Sequence, residues 1–410
     1  MNPVWPLRWP ATWRDPGVLG LVKDTPLGVL VFPATAGFEG VMARARELGL
    51  VCAGLSRPPD GVEMVKGEWP GIRMTPGEGD ASSGPTGAPW IDSNGWLVRL
   101  TRLQKPGKTV WLAADPPKDN EVLPLARHLI AIADAAAHGG RWVVTLDKSL
   151  ADGLAARAPK AVSGWQRMTA AMRFFDAHAE WGNWTADAEL AVVSSFAGGD
   201  EFFSHELLNL TARTNVPYSI VTKTGLRPES LRGLHAAIYP DTEPPSAAVR
   251  QILLDFVERG GLLITGPKWG AAPGTPVSGE PYLRYQIRGF GKGRIAMANQ
   301  QPDDPYEVAQ DAQILVSHRY DQVRLFNSFV LGAYATVSPD GKRRLEHLIN
   351  YGGGEHDDPA TAWIAGRART AKLWSLANQQ AQPLELIPRR DGMEVHLPRL
   401  EVYGGLELEG

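Results

Sequence analysis

The sequence predicts a three-part α/β protein: a partial or reduced (β/α) barrel, a doubly wound domain and a small antiparallel β-sandwich. Three observations lead to this prediction. Apolar runs alternate with helical patterns over the first two parts, as in parallel sheets covered by helices. The last part contains short alternating strands separated by turns. The chain has 410 residues, 43% of them hydrophobic, which is enough for two or three separate cores.

The first part, residues 1–186, is predicted to be the barrel. Its strand candidates are LGVLVF (27–32), LVCAGLS (50–56), GIRM (71–74), TVWLAAD (109–115) and RWVVTLD (141–147), with helices near 38–49, 121–137 and 160–181. A complete barrel of this kind needs about eight strands, which is more than these candidates provide. A reduced barrel is therefore expected.

The second part, residues 187–329, has the pattern of a flavodoxin-like, doubly wound sheet, in which apolar strands alternate with helices. Its strand candidates are ELAVVSSF (189–196), PYSIVT (217–222), LHAAIYPD (234–241) and LLITGP (262–267), with helices over 246–259 and 304–319. The Gly-rich phrase GFGKGR (289–294) lacks the context of a nucleotide-binding loop, and it predicts a hairpin.

The third part, residues 330–410, is predicted to be the antiparallel β-sandwich. Turn signals such as Pro339-Asp340-Gly341 separate its strand candidates. These are YATVS (334–338), RRLEHLINY (343–351), TAWIAG (361–366), AKLWSLA (371–377), LELIPR (384–389), MEVHLPRL (393–400) and EVYGGLELE (401–409).

The order of these parts, and several phrases within them, resemble family 42 glycoside hydrolases, the β-galactosidases with a trimerisation domain. The phrases are LDFVERGGLLITGP (254–267), GFGKGRIAM (289–297), LEHLINY (345–351) and MEVHLPRLEVYGGLELE (393–409). The resemblance implies a carbohydrate substrate, a barrel that carries the active site and a homo-oligomer such as a trimer. No cofactor is implied.

The second part is also similar in pattern to class I glutamine amidotransferases, whose activity needs a cysteine nucleophile. The single cysteine of the chain, Cys52, lies in the first part. The second part therefore lacks the nucleophile, which implies a degenerate, structural or oligomerising role.

Asp115 and Asp147 are the candidate catalytic residues. In the family that the chain resembles, two barrel glutamates at strand ends are acid/base and nucleophile, but here the acids that end strands are these aspartates. Neighbouring parallel strands of a barrel open on one mouth. Glycosidic cleavage needs two carboxyl groups about 5 Å apart for retention, or about 6.5–9.5 Å for inversion. The alternative is that each aspartate caps a helix or forms a turn.

The Gly/Pro/Ser-rich segment 74–96 ends in candidate substrate-binding residues. A loop of this length is usually functional or disordered, and the anchors at its end favour an ordered loop. Asp92 and Asn94 offer hydrogen bonds to sugar hydroxyls, while Trp90 and Trp96 offer stacking surfaces. The alternative is a tight turn ahead of a helix, with both tryptophans buried.

Glu201 is a further candidate substrate-binding residue. It lies in the loop GGDEFFS after the first strand of the second part, and ligands of doubly wound sheets bind at the carboxyl ends of strands. The alternative is that it interacts with the dipole of the following helix, because the first turns of helices are enriched in acidic residues.

Composition limits the other classes of partner. The net charge of −3 comes from 42 basic and 45 acidic residues that are mixed along the chain, which argues against nucleic acid. No His/Cys/Asp/Glu cluster has metal-ligand spacing. No apolar run is long enough to span a membrane, and the start lacks a signal-peptide core. The sequence as written predicts a cytoplasmic protein, or a secreted or periplasmic one if a signal was removed.

Two functions follow from these observations. The first is a glycoside hydrolase-like enzyme that cleaves an oligo- or polysaccharide with Asp115 and Asp147 as its acid and base. The second is a carbohydrate-binding or oligomerisation module without catalytic activity, in which the barrel has lost its acids.

Overall fold

The computed structural model describes residues 4–74, 89–277, 284–317, 320–354 and 359–410. Most of the predicted long loop, residues 75–88, thus lies outside the described residues. The described chain is a mixed α/β structure, in agreement with the predicted class.

The first part contains short parallel strands that alternate with helices. Its strands are β1 (Trp5–Arg8), β2 (Leu27–Phe32), β3 (Val51–Gly54), β4 (Val62–Lys66), β5 (Gly71–Ile72), β6 (Ile91–Asp92), β7 (Thr109–Ala113) and β8 (Arg141–Trp142). Its helices are α1 (Glu39–Glu47), α2 (Gly95–Gln104), α3 (Leu125–Ala137), α4 (Lys148–Ala155) and α5 (Pro159–Ala177).

Two parallel sheets of the first part meet at a backbone bridge. One has the order β1-β2-β3 and the other the order β4-β7-β8. A parallel bridge pairs Leu7 with Val144. The amide of Arg8 donates to the carbonyl of Val144 at 2.8 Å, and the amide of Val144 donates to the carbonyl of Pro6 at 2.9 Å. The bridge makes the six strands one continuous parallel array.

One face of this array carries a small apolar cluster of its own. Val29, Val31, Trp111 and Val143 form it, and Ala53, Leu55, Val62, Met64 and Ala113 pack against it. These side chains come from both sheets, including the outer strands β3 and β4. The helices cover the opposite face with a much larger core.

Three details of the first part differ from the sequence prediction. β1 was not predicted, because Pro6 argues against a central strand; a register irregularity between Trp5 and Pro6 accommodates it. β4 was missed because it lies at a sheet edge and alternates with charged residues. The prediction of GIRM as a strand of the parallel array was wrong, since Gly71–Ile72 pairs antiparallel with Ile91–Asp92.

The second part is built on one sheet with the order β11-β10-β12-β13-β16-β15-β14. After the short strand β9 (Thr185–Ala186) come β10 (Leu190–Ser194), β11 (Tyr218–Thr222), β12 (Ala236–Tyr239), β13 (Leu262–Thr265), β14 (Thr275–Pro276), β15 (Tyr285–Phe290) and β16 (Gly293–Ala298). The helices are α6 (Glu201–Arg213), α7 (Ala247–Glu258) and α8 (Pro305–Val316).

The parallel strands of this sheet follow an order that doubly wound proteins use, in which the first strand lies between the second and the third. β15 and β16 form the hairpin expected at GFGKGR, and Gly291 occupies its turn with a φ of 58°. Helix α7 is followed by Gly260 with a φ of 123°, a left-handed conformation that glycine adopts readily.

The third part consists of two antiparallel sheets packed face to face around one apolar core. Its strands are β17 (Val323–Phe326), β18 (Leu331–Val337), β19 (Arg343–Asn350), β20 (Thr361–Ala365), β21 (Thr370–Ser375), β22 (Gln382–Leu384), β23 (Ile387–Pro388), β24 (Gly392–His396) and β25 (Tyr403–Glu409). β9 pairs with β18, and β17 pairs with β20. β9 and β17 therefore belong to the sheets of the third part.

The helices of the first part pack directly on the sandwich. These helices share their buried cluster with Leu345, Ile349, Tyr351 and Tyr403 of the sandwich. Among the described residues, no helix is long and apolar enough to cross a bilayer.

Candidate functional site

Asp115 lies in solvent directly after β7. Its carboxylate is 2.9 Å from the ammonium of Lys66, and both side chains are mostly exposed. The indole of Trp69 donates to the backbone carbonyl of Asp115 at 2.8 Å. The hydrogen bond and the charge of Lys66 lower the pKa of Asp115. This carboxyl group is therefore ionised at neutral pH.

Asp147 is buried and holds the start of α4. Its carboxylate accepts a hydrogen bond of 3.0 Å from the amide of Leu150, the contact that defines an N-cap. The other oxygen lies 3.1 Å from Nε2 of His128, which is also buried. Burial favours the neutral carboxyl group, but the hydrogen bonds from His128 and Leu150 outweigh it and lower the pKa of Asp147.

These two environments do not give one carboxyl group that is protonated at neutral pH and one that is ionised. A glycosidic general acid keeps its proton at neutral pH because its pKa is raised. The pKa values of Asp115 and Asp147 are both lowered. In addition, each carboxylate is bound to a neighbouring group of the protein, and Asp147 is shielded from solvent.

Asn94 and Asp92, two of the predicted sugar ligands, are engaged in contacts within the protein. The Asn94 amide group donates to Asp134 and to the carbonyl of Glu68, and its oxygen accepts from the amide of Glu68, all within 2.8–3.0 Å. Asp92 forms a bidentate ion pair with Arg73. These contacts fix the loop ahead of α2.

The tryptophans of this loop pack against the apolar core of the second part. The guanidinium of Arg213 lies 3.7 Å from the ring centre of Trp90. The ring of Trp96 lies 5.3 Å from that of His205. Glu201 is the exposed first residue of α6. Burial lowers the pKa of the His205 imidazole, and the charge of Glu201 opposes part of that effect.

A cavity of about 300 Å³ lies where the three parts meet. Its size is at the lower end of ligand pockets, which enclose roughly 300–1,000 Å³. Of the predicted substrate-binding residues, Trp96 lines it. The lining also includes Arg99 of the first part, Arg213, Asn215 and Tyr218 of the second, and Phe329, Tyr334 and Tyr351 beside or within the third.

Arg99 belongs to the wall that the first part contributes to the cavity. Its guanidinium is 4.3 Å from the ring centre of Tyr218 and 4.7 Å from that of Tyr334, and it donates to the carbonyl of Tyr218. His138 and His347 stack on Tyr334. Burial lowers the pKa of both imidazoles, to about 3 for His347, so they are neutral at neutral pH.

Asn215 connects the second part to the sandwich beside the cavity. Its side-chain oxygen accepts a hydrogen bond of 2.9 Å from the amide of Ala333, and its nitrogen donates to the carbonyl of Leu331 at 3.5 Å. At the rim, Phe329 is 82% exposed, although a large aromatic side chain usually buries most of its surface. It leaves an aromatic face available to a ligand.

Sequence reasoning did not identify Arg99, Arg213, Tyr218 or Tyr334 as site residues. They come from different parts of the chain and converge only through the packing of those parts. Trp90 and Trp96, which were identified from the sequence, lie at the edge of the same region.

Comparison with protein-family models and with curated proteins finds no match. Solved structures do match. Alpha-L-fucosidase isoenzyme 2 from Paenibacillus thiaminolyticus is 10% identical with a TM-score of 0.52, over 96% of this chain and 79% of that one. A rhamnosidase from Novosphingobium sp. PP1Y is 11% identical with a TM-score of 0.49, over 91% of this chain and 38% of that one.

A catalytic mutant of a GH42 beta-galactosidase from G. stearothermophilus is 11% identical with a TM-score of 0.44. It matches 91% of this chain, which spans 66% of its length. The fucosidase comparison shows that the chain has a glycoside hydrolase-like fold. The resemblance noted in the sequence agrees with it at that level.

Proposed function

We propose that this chain is a carbohydrate-binding protein with a glycoside hydrolase-like fold, and that its ligand binds in the cavity between the three parts. The lining of the cavity carries the proposal. It combines aromatic faces with neutral amide and hydroxyl groups and two arginines, and sugars need both stacking surfaces and hydrogen bonds of this kind.

The proposed architecture is a reduced (β/α) barrel of six strands, followed by a flavodoxin-like domain and a sandwich. Support for the barrel comes from the bridge between Leu7 and Val144 and from the apolar cluster shared by β3 and β4. Side chains from both ends of the strand array pack against that one cluster, as they do in the filled interior of a barrel.

Glycosidic hydrolysis by Asp115 and Asp147 is the second candidate function. One observation favours it: the two aspartates follow β7 and β8, which are adjacent parallel strands, and active sites of parallel barrels lie at the carboxyl ends of strands. The lowered pKa values and the capping contact of Asp147 favour the binding function instead.

A paired assay separates the two functions. Wild-type protein and the Trp96→Ala variant are titrated calorimetrically with a panel of neutral mono- and oligosaccharides, and the same panel is offered as aryl glycosides. The binding function predicts saturable binding that Trp96→Ala weakens, without release of aryl alcohol. Release that disappears in Asp115→Asn or Asp147→Asn would instead establish the hydrolase.

A further inference from the structure

The part of the cavity lining that the structure describes contains cationic groups but no acidic one. It includes Arg99 and Arg213 and, among the described residues, neither Asp nor Glu. Burial lowers the pKa of Arg213, but only to about 10, so its charge persists at neutral pH. His138 and His347 also line the cavity and are neutral there. The net charge of the lining is therefore positive.

Arg213 has unmet hydrogen-bonding capacity. Its Nε and Nη2 atoms are buried and have no hydrogen-bond partner among the described residues. The carboxylates that act on it are Asp92, which is paired with Arg73, and Glu206; both raise its pKa, but neither forms a hydrogen bond with it. A guanidinium that is largely removed from water and has no carboxylate partner is costly, because charges in protein interiors are normally paired.

Other unpaired polar atoms lie along the same face of α6. Nε2 of His205, Oδ1 of Asn209 and the free atoms of Arg213 recur at intervals of four residues, so they lie in one row on the helix. Trp90 and Trp96 cover this row, and the Trp90 indole N–H also lacks a partner. Of this row, Arg213 is the member that lines the cavity, so its guanidinium is the group that a ligand there can pair with.

We infer that the cavity is selective for an acidic saccharide, a sugar whose carboxylate or sulfate group pairs with Arg213. This inference rests on the proposed carbohydrate-binding function. Guanidinium binds both oxyanions with charge-assisted hydrogen bonds. Trp96 and Phe329, which also line the cavity, offer aromatic faces to the ring of the same sugar, so affinity depends on stacking and selectivity depends on charge.

The test compares sugars with the same ring that differ in the group at C6 and in its charge. The full chain is titrated calorimetrically with galactose, galacturonate and galactose 6-sulfate, at low and at high salt. At least a tenfold preference for galacturonate or for the sulfate over galactose is expected, with a preference that shrinks as salt screens the pair. The relative affinities of galacturonate and galactose 6-sulfate show whether the site prefers a carboxylate or a sulfate group.

Arg213→Gln is the variant that tests the assignment, with Arg232→Gln as the matched control, because Arg232 is exposed and does not line the cavity. Arg213→Gln is expected to remove the preference, so that galactose and the two acidic sugars bind with similar affinity. Its fold is expected to persist, since it removes a buried charge that lacks a partner. Arg232→Gln keeps the preference.

The outcomes separate the two proposals. Equal affinity for galactose and both acidic sugars overturns the selectivity but leaves the carbohydrate-binding function intact. A preference that survives Arg213→Gln also overturns the inference, because it places the anion elsewhere. Absence of binding by any sugar overturns the proposed function and the selectivity with it.

Discussion

The hydroxyl of Tyr351 donates a hydrogen bond of 2.7 Å to the carboxylate of Asp134, which joins the sandwich to helix α3 in the buried interface. The other oxygen of Asp134 accepts hydrogen bonds from the backbone and side chain of Asn94. One buried carboxylate thus holds together the loop before α2, helix α3 and the end of β19. These elements form one wall of the cavity.

Removing the Tyr351 hydroxyl is expected to weaken this interface. Tyr351→Phe takes a donor from a buried carboxylate, and hydrogen bonds to charged groups contribute about 1.5–3 kcal/mol. A loss of that size in the free energy of unfolding is expected in urea denaturation. Tyr306→Phe is the control, since its hydroxyl accepts from Gln310 in a partly exposed position. Equal losses in the two variants would show that the interface contact is unimportant.

The role of Asp147 can be resolved by two substitutions. Asp147→Ala removes the cap of α4 and leaves His128 buried without its partner, so the free energy of unfolding should fall by about 1–3 kcal/mol. Asp147→Asn keeps an oxygen that caps the helix and should change the stability little. Thermal denaturation measures both variants. A large loss in Asp147→Asn would mean that the negative charge, and not the cap, matters.

Glu189 makes the stability of the protein depend on pH. Burial, and then the charge of Asp321, raise the pKa of Glu189 to about 8, against the effects of Arg344 and Arg324. Since the folded-state value lies above that of the unfolded chain, this residue's contribution to stability is complete below about pH 4.5 and is lost as the pH rises to about 8. Stability is therefore expected to fall across that window.

Glu189→Gln should remove this pH dependence. The variant and the wild type are expected to differ little at pH 5, and the variant is expected to melt at a higher temperature than the wild type at pH 8.5. Glu180→Gln, at an exposed position, controls for the loss of one charge. Parallel melting curves of Glu189→Gln and wild type at every pH would contradict the raised pKa.

Phe329 is expected to contribute to ligand binding and not to stability. It is 82% exposed at the cavity rim, so Phe329→Ala removes little buried surface. An aromatic contact contributes about 0.5–1.5 kcal/mol, which corresponds to a two- to tenfold loss of saccharide affinity. Phe202→Ala, which is 75% exposed and does not line the cavity, is the control. Equal affinities of the two variants would exclude Phe329 from the site.

The sequence predicted the elements whose signal is local. Strands such as 262–267 and the hairpin at 289–294 follow from apolar runs and glycine positions, and they are present. Local rules failed at Pro6, which lies in a central strand because the register shifts beside it. They also failed at GIRM, because Gly71–Ile72 pairs antiparallel with Ile91–Asp92 and not with the parallel array.

The candidate site was predictable only at its edge. Trp96 was identified from its place after a long loop, and it lines the cavity. Arg99, Arg213 and Tyr334 carry no motif, because each gains its role from packing between parts that are distant in sequence. Whether Asp115 and Asp147 act on a substrate stays a prediction.

A crystal structure of the chain with the saccharide that binds most tightly tests the central claim most directly. The account predicts a sugar in the cavity between the three parts, with its ring against Trp96 or Phe329 and no bond cleaved. A sugar bound instead at the ends of β7 and β8, between Asp115 and Asp147, would contradict it.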